Sequence, residues 1–152
     1  MKVAIGSDHA GFEYKQLLVE MLSKEGYEVI DVGPTTGERT DYPDYAVAAS
    51  TKVAQGEADA GVLVCGSGIG VAITANKIAG IRAATCVTTE MARLSRQHNN
   101  ANVVCLGERL VSADEATKIV REFLLTSFEG GRHEQRVEKI HTLTGQIGRA
   151  HV

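Results

Sequence analysis

Tryptophan is absent from this sequence, and the aromatic residues Phe, Trp and Tyr together make up only 5% of it. Flavins and nucleobases are commonly held by stacking on aromatic rings, so the composition gives no indication of such a site. An excess of positive charge is also missing, since the formal net charge is -3. Nucleic-acid-binding proteins normally carry a basic surface. We therefore expect no nucleic-acid partner, and any anion site must be a local cluster of residues.

The sequence has no apolar run of membrane-spanning length, and residues 1–6 are typical of a strand rather than of a signal peptide. Cysteine is scarce as well. Cys65, Cys86 and Cys105 leave one thiol unpaired in any disulfide scheme, and no two of them form a Cys-x-x-Cys pair. Reduced thiols in a cytoplasmic protein without membrane contact are the simplest interpretation.

Three common ligand motifs are missing too. A dinucleotide-binding fingerprint reads Gly-x-Gly-x-x-Gly after the first strand, whereas Gly66, Gly68 and Gly70 alternate after the third predicted strand. A P-loop closes with Lys-Ser or Lys-Thr, and no such pair closes this loop. The histidines and cysteines show no metal-ligand spacing, so the sequence predicts no metal site.

Short β-branched runs alternate with amphipathic helical patterns along the chain, which is typical of a parallel sheet covered by helices on both faces. We predict an α/β fold, a three-layer α/β/α sandwich with a five-stranded parallel Rossmann-like sheet. The predicted strands are residues 3–6, 28–31, 61–64, 82–85 and 103–106.

Residues 1–152 are predicted to form a single domain, with a core over about residues 1–128 and a C-terminal tail from about residue 130. The tail begins after Gly130-Gly131 with a mostly polar helical pattern. Such a helix would be weak on its own, so we expect it to pack on a partner subunit.

Chemically useful residues follow several of these strands, and ligands of open parallel sheets bind beyond the carboxyl ends of the strands. The first strand leads to Asp8 and His9, and the fifth leads to Arg109. A polar segment with His98 and Asn99 precedes the fifth strand. We therefore expect one edge of the sheet to gather an acid, two histidines, a thiol, several amides and an arginine.

The most informative segment is residues 62–70, where an apolar strand ends at Cys65 and every second residue of the following loop is glycine. Glycine lets backbone N–H groups converge on an anion, and the helical pattern that follows adds positive potential. A cysteine in these surroundings gains thiolate character. The segment therefore predicts a reactive thiol.

Simpler explanations exist for the residues at the strand ends. Asp8 could cap the first helix, and His9 could be an ordinary surface histidine. Cys65 could be a small core residue, although its glycine loop favours function. Cys86 and Cys105 have no such loop, and we interpret both as packing residues.

The C-terminal candidates also have plain alternatives. His98 and Asn99 could form a helix C-cap. Arg132 and Arg136 lie four residues apart and would share a helix face, which is more commonly just a solvated face. Their interpretation as ligands is strengthened if a partner's site requires positive charge.

Seven blocks of residues, in collinear order over residues 1 to about 140, resemble the type B ribose 5-phosphate isomerases, a family that includes allose 6-phosphate and galactose 6-phosphate isomerases. The blocks are residues 6–12, 41–43, 65–70, 75–77, 80–83, 95–99 and 130–133. Any one block is a weak signal, but the set together is highly specific. The resemblance implies a homodimer or homotetramer with active sites shared between subunits, and neither a metal nor an organic cofactor.

The resemblance also implies a reaction, the interconversion of D-ribose 5-phosphate and D-ribulose 5-phosphate through a cis-enediol. Cys65 would be the base, and Ser67 would pass a proton between O1 and O2 of the substrate. His98 would open the sugar ring as an acid–base group, with Asp8 holding a sugar hydroxyl. Asn99 would help the glycine loop at the enediolate oxygen.

The remaining site residues implied by the resemblance bind the substrate. His9, Arg109, Arg132 and Arg136 match the phosphate-binding group, some of them from the partner subunit, and Tyr42 would line the sugar pocket. The residues of the loop that would contact the substrate are Gly66, Gly68, Ile69 and Gly70.

Rival functions remain open at this point. The nearest is isomerisation of a six-carbon sugar phosphate, because one additional CH–OH group is a small change for a solvent-edged pocket. A non-catalytic phosphosugar-binding module would retain the arginines and the loop without needing an activated thiol. A cysteine phosphatase fits poorly, since no arginine follows Cys65 until Arg82.

Overall fold

Five parallel strands form the centre of the molecule, as the alternation of strand and helix patterns predicts. The computed structural model describes residues 1–146, so residues 147–152 of the predicted tail lie outside the described residues. The strands are β1 (Lys2–Ser7), β2 (Glu28–Gly33), β3 (Ala60–Cys65), β4 (Ala83–Thr85) and β5 (Val103–Gly107). Each predicted strand corresponds to one of these, with ends that differ by at most two residues.

Six α-helices connect and extend the strands. They are α1 (Phe12–Lys24), α2 (Tyr42–Ala54), α3 (Ile69–Ala75), α4 (Thr89–Asn99), α5 (Ala113–Leu125) and α6 (Arg132–Thr144). A short 3-10 helix, His9–Gly11, precedes α1. Within residues 1–146, no helix has the length and apolar character needed to cross a membrane.

The helix starts follow from local capping chemistry. Ser112 caps α5, its Oγ accepting a hydrogen bond from the Glu115 backbone nitrogen at 3.1 Å. Thr88 caps α4 in the same way through the nitrogen of Met91. Pro43 lies in the first turn of α2, where its missing N–H leaves no intrahelical bond unmade.

Two hydrophobic clusters lie on opposite faces of the sheet, which gives the predicted three layers. Successive residues of each strand alternate between the clusters: Val62 and Val64 face α1, α4 and α5, whereas Leu63 and Cys65 face α2 and α3. Because both faces are covered, the central strands are apolar throughout and fully buried.

The strand order β2-β1-β3-β5-β4 has its reversal between β1 and β3, because the chain leaves β1 toward one edge and returns at β3 toward the other. Ser7 pairs with Val64, and Cys65 pairs with Gly107, so the carboxyl ends of β1, β3 and β5 are level. In open α/β sheets a crevice forms at such a reversal point.

The helix of the tail, α6, lies against its own chain. Its buried stripe is His133, Val137 and His141, and it packs on α4. The ring of His141 lies 2.9 Å from Nη1 of Arg82, and the backbone carbonyl of Gln146 accepts a hydrogen bond from Gly80. Part of the predicted tail is therefore anchored within one subunit, while Leu143 on the opposite face is exposed.

Candidate active site

A cavity of about 610 Å³ opens at the carboxyl ends of β1 and β3, where the strand order reverses. Nine of the site residues predicted from the sequence line it: Asp8, His9, Tyr42, Cys65, Gly66, Ser67, Ile69, Gly70 and Arg109. We call these nine residues the cavity group. The tenth, Gly68, belongs to the same loop but packs against the end of β5.

Cys65 lies at the inner end of this cavity, with 4% of its surface exposed. Its sulfur accepts a hydrogen bond from the backbone nitrogen of Gly68 at 3.2 Å. The loop therefore directs a backbone N–H at a sulfur atom that borders the cavity.

The other two cysteines have different surroundings. Burial raises the pKa of Cys86 to about 11, despite a hydrogen bond with Ser95 that lowers it. Burial also raises the pKa of Cys105 far above its ordinary value. Both lie in the hydrophobic clusters, which confirms their prediction as packing residues.

The shape of the loop depends on two of its glycines. Gly68 has a φ of 76°, and a Cβ there would lie 2.8 Å from the carbonyl carbon of Leu106. A Cβ at Gly70 would lie 2.5 Å from the ring of Tyr42. Glycine therefore lets the loop fold onto β5 and under the tyrosine ring. The Thr85 hydroxyl donates to the carbonyl oxygen of Gly68 at 2.8 Å and ties the loop to β4.

Asp8, Ser67 and Arg109 take part in hydrogen bonds that fix the cavity walls. Asp8 is buried, and its Oδ1 accepts from the Gly11 nitrogen at 3.0 Å. It therefore caps the short helix while also lining the cavity. The Ser67 hydroxyl accepts from the Ile69 nitrogen at 3.2 Å, and the Arg109 nitrogen donates to the Gly66 carbonyl at 3.1 Å.

His9 is held by a loop that an ion pair anchors. Nδ1 of His9 lies 3.0 Å from the carbonyl oxygen of Thr40, which directs the other ring nitrogen away from that loop. At the start of the loop, the Asp31 carboxylate accepts from the Gly33 nitrogen at 2.9 Å. The same carboxylate is paired with Nζ of Lys15, a fully buried side chain, at 2.9 Å. No pattern in the sequence indicates this supporting role of Lys15.

The other four predicted site residues do not line the cavity. They are His98, Asn99, Arg132 and Arg136, which we call the helix-end group. His98 and Asn99 form the last turn of α4, and the two arginines lie in the first turns of α6. The two helices pack on each other, so these four residues lie in one region of the molecule.

The expectation that one sheet edge gathers both histidines is therefore wrong for a single chain. Helix α4 follows β4, so it begins near the carboxyl edge of the sheet and runs back toward the amino edge, where β5 begins at Val103. Its 11 residues span about 16 Å at a rise of about 1.5 Å per residue. His98 lies in the last turn of α4, far from the carboxyl edge of the sheet where Cys65 lies.

His98 and Asn99 also do not form the C-cap of α4, which was the simpler interpretation of these two residues. The cap is Asn100, in the left-handed conformation with a φ of 45°. Nε of Arg82 donates to the Asn100 carbonyl at 2.7 Å, and Nη1 of Arg96 donates to its side-chain oxygen at 2.9 Å. These bonds hold the last turn of α4 without using His98 or Asn99.

His98 instead stacks on His133, with ring centroids 4.4 Å apart and ring planes 15° from parallel. Nitrogen atoms of both rings and a carboxylate oxygen of Glu129 lie within 4.8 Å of one another, a combination able to ligate a metal ion. No sequence pattern indicates this cluster, because Glu129 lies 31 residues after His98. In nearly parallel rings the in-plane lone pairs do not converge, so ligation would require one ring to turn.

Two large apolar residues of the cavity were also not predicted from the sequence. Ile73 and Leu110 line it, and each is 58% exposed. Ile73 lies one helical turn after Ile69, which is 55% exposed. This i, i+4 spacing of two isoleucines is the sequence pattern from which an apolar face of α3 could have been predicted. An apolar rim around a polar cavity is typical of a surface that another molecule covers.

The sequence model of the Ribose/Galactose Isomerase family matches residues 3–140 of this chain. The chain belongs to this family. The ribose-5-phosphate isomerase B of Escherichia coli K12 is 51% identical over 139 residues, which are 91% of this chain and 93% of that protein. Membership of this isomerase family is what the sequence resemblance predicts, and it is confirmed.

Solved structures of the family agree with the fold. The ribose-5-phosphate isomerase B of Clostridium thermocellum superposes with a TM-score of 0.94 at 48% identity, over 95% of this chain and 98% of that one. The Mycoplasma genitalium enzyme, solved with bound ribulose-5-phosphate, gives a TM-score of 0.91 at 42% identity, over 95% and 97% of the two chains. The chain is accordingly an aldose–ketose isomerase with the predicted α/β fold.

Proposed function

We propose that this isomerase interconverts D-ribose 5-phosphate and D-ribulose 5-phosphate in the cytoplasm, using Cys65 as the base and requiring neither a metal nor an organic cofactor. The observation that carries this proposal is the Cys65 sulfur, which faces the cavity and accepts the Gly68 N–H at 3.2 Å. The names of the Escherichia coli and Mycoplasma genitalium relatives support the choice of substrate.

The chemistry begins at C2 of the open-chain aldose. The Cys65 thiolate takes the C2 proton, and the electron pair of the C–H bond forms the C1=C2 double bond while O1 gains negative charge. Backbone N–H groups of the loop stabilise this oxyanion, which is required because a carbon acid next to a carbonyl is otherwise too weak. Ser67 moves the hydroxyl proton from O2 to O1. The thiol then returns its proton to C1, which leaves the ketose and the thiolate.

Phosphate binding requires fixed positive charge beyond what the cavity group supplies. Within this group, Arg109 and His9 are the cationic or potentially cationic residues. Arg132 and Arg136 are exposed on α6 and directed away from their own hydrophobic clusters, since the buried stripe of that helix consists of other residues. Arginine binds phosphate through two parallel hydrogen bonds, so these side chains are suited to complete the site of a second subunit.

We accordingly propose a homodimer, or a homotetramer built from such dimers, with two equivalent shared sites. The helix-end group of one subunit would approach the cavity group of the other, bringing His98 to the ring oxygen and Asn99 to the enediolate. Asp8 would hold a sugar hydroxyl and Tyr42 would flank the sugar. The apolar rim of Ile69, Ile73 and Leu110 supports such a covering partner.

The test is turnover of D-ribose 5-phosphate in the presence of a chelator, with a Cys65→Ala variant alongside. We expect ketose formation by the wild type and a loss of about a hundred- to ten-thousand-fold in kcat for the variant, as for removal of a general base. Calorimetry should show that the variant still binds D-ribulose 5-phosphate. Cys105→Ala, which removes a thiol of the core, is the matched control and should keep its kcat.

Turnover retained by Cys65→Ala would rule out the thiol as the base. A wild type inactive on D-ribose 5-phosphate but active on allose 6-phosphate or galactose 6-phosphate would shift the assignment to a six-carbon substrate. Binding without turnover of any of these would indicate a phosphosugar-binding module.

A further inference from the structure

The ring of His133 is the feature of the helix-end group that the proposed chemistry does not use. It is 4% exposed and lies almost parallel to the half-buried ring of His98, at a centroid distance of 4.4 Å. Stacked aromatic pairs at this separation stabilise a defined relative orientation of the two rings. The face of His98 that lies against His133 is therefore fixed, and its edge is left for other contacts.

The backbone around both rings is held by bonds that do not involve either side chain. The Glu129 nitrogen donates to the Gln97 carbonyl at 3.1 Å, which joins the segment before α6 to the last turn of α4. The backbone nitrogen of His133 donates to the Gly130 carbonyl at 3.1 Å. The stacking geometry is thus set by the packing of α4 against α6 and by the bond that ties the segment before α6 to Gln97.

The nitrogen atoms of His133 do not account for its burial. Nε2 is buried and has no hydrogen-bond partner within residues 1–146, and the nearest carboxylate oxygen, on Glu129, is 3.9 Å away. Burying a polar atom without a partner is unfavourable. The contact that the His133 ring makes is the stacking of its face on His98.

The charge state of His133 suits this role. Burial lowers the pKa of His133, and the neighbouring His98, Arg132 and Arg136 lower it further, while Glu129 opposes them. The folded protein therefore favours the neutral form of this ring. A neutral imidazole stacks favourably on His98 whether that ring is neutral or protonated, because its π face also attracts a cation.

We propose that His133 is a positioning residue, whose stacked ring holds the imidazole of His98 in the orientation that ring opening of the sugar requires. This role rests on the function proposed above. Because His133 and Arg132 are adjacent on α6, the same helix turn would align the acid–base group and a phosphate ligand for the partner's cavity.

The test compares a cyclic substrate with one that cannot cyclise. D-Ribose 5-phosphate closes a furanose through O4, whereas D-erythrose 4-phosphate carries its phosphate on O4 and stays open. His133→Ala should lower kcat/KM for D-ribose 5-phosphate by up to about tenfold, the value of an aromatic pair, and should change kcat/KM for D-erythrose 4-phosphate less than about twofold. His133→Phe, which keeps a stacking ring without nitrogen, should restore the first value.

Val137→Ala is the matched control, since it loosens the same buried stripe of α6 without touching a ring. It should affect both substrates equally. Equal losses on both substrates for His133→Ala would mean that the residue is only structural. Failure of His133→Phe to restore activity would mean that a nitrogen of His133 acts directly, and either result would overturn the positioning role.

A spectroscopic readout separates this inference from the proposed function. In NMR spectra, the His98 ring protons should shift in His133→Ala, through loss of the ring current, and return in His133→Phe. Unchanged His98 signals would overturn the stacking in solution. A wild type that shows the stacking but does not isomerise D-ribose 5-phosphate would contradict the proposed function instead.

Discussion

The cavity group and the helix-end group are held in place by different means. Most of the cavity group lies at or just after the ends of β1, β3 and β5, where backbone register and backbone hydrogen bonds, such as Gly68 to the Cys65 sulfur, set the positions of its atoms. The helix-end group is held by side chains from distant parts of the chain, such as Arg82 on Asn100 and His133 on His98. In the proposed shared site, the groups that need fixed amides therefore lie on the sheet, and the groups proposed to meet a partner lie on helices.

The largest effect is expected from a change to the loop of the cavity group. Gly68→Ala puts a Cβ in the left-handed region, 2.8 Å from a backbone carbon of Leu106. The loop must shift, which displaces the amide that contacts Cys65. We expect kcat to fall by about a hundred- to a thousandfold, as for loss of an oxyanion donor, with a loss of about 1–3 kcal/mol in the free energy of unfolding.

The matched control is Gly56→Ala, because Gly56 has a φ of 77° but nothing within 4 Å of a Cβ and lies outside the cavity. It should cost about 1–2 kcal/mol of stability from the backbone alone and leave kcat unchanged. Similar kinetics for the two alanine variants would show that the precise loop geometry does not matter.

A smaller effect, of another kind, is expected from the helix-end group. Arg136→Ala should raise KM for D-ribose 5-phosphate by about tenfold or more, the value of a charge-assisted hydrogen bond, with a smaller change in kcat. Lys139→Ala removes another exposed cation of α6 and should leave KM unchanged. Steady-state kinetics measures KM for both variants. An equal rise in KM for the two would show that Arg136 contributes only to the overall charge and does not bind the phosphate.

The smallest expected effect is on stability at acidic pH. The pKa of His133 is lowered in the folded protein, mainly by burial, so the unfolded chain binds the proton more tightly. The free energy of unfolding should therefore fall as the pH drops below about 6.5, the ordinary value for histidine. Urea unfolding at fixed protein concentration should show a smaller loss between pH 7.5 and pH 5.5 for His133→Phe than for the wild type. An identical loss in both proteins would contradict the neutral, buried state of His133.

Much of the cavity group was predictable because its signals are local. The strand before Cys65, the alternating glycines after it and the residues that follow β1 each lie within a few positions of one another. The rule that ligands bind at the carboxyl ends of parallel strands then brings these segments together. The five strands were predictable for the same reason, since each depends on a short apolar run.

The roles of the helix-end group were predicted only by resemblance, and the place of His98 in the fold was predicted wrongly for a single chain. Chain order suggested that His98 joins the edge near Cys65, but a helix after a strand runs back across the sheet. The stacking on His133 and the anchoring of α6 by Arg82 and His141 join residues far apart in sequence. Neither the hydrophobic periodicity nor the motif spacing of the sequence indicates such contacts.

The shared site is tested most directly by mixing two inactive variants. Cys65→Ala lacks the base of the cavity group, and His98→Asn lacks the ring-opening group of the helix-end group, so each alone should turn over little D-ribose 5-phosphate. If the two groups meet across a two-fold interface, subunits exchanged at random form hybrid dimers in which one of two sites is intact. The mixture should then recover about a quarter of wild-type activity. A mixture no more active than the sum of its parts would place both groups in the site of a single chain and contradict the shared arrangement.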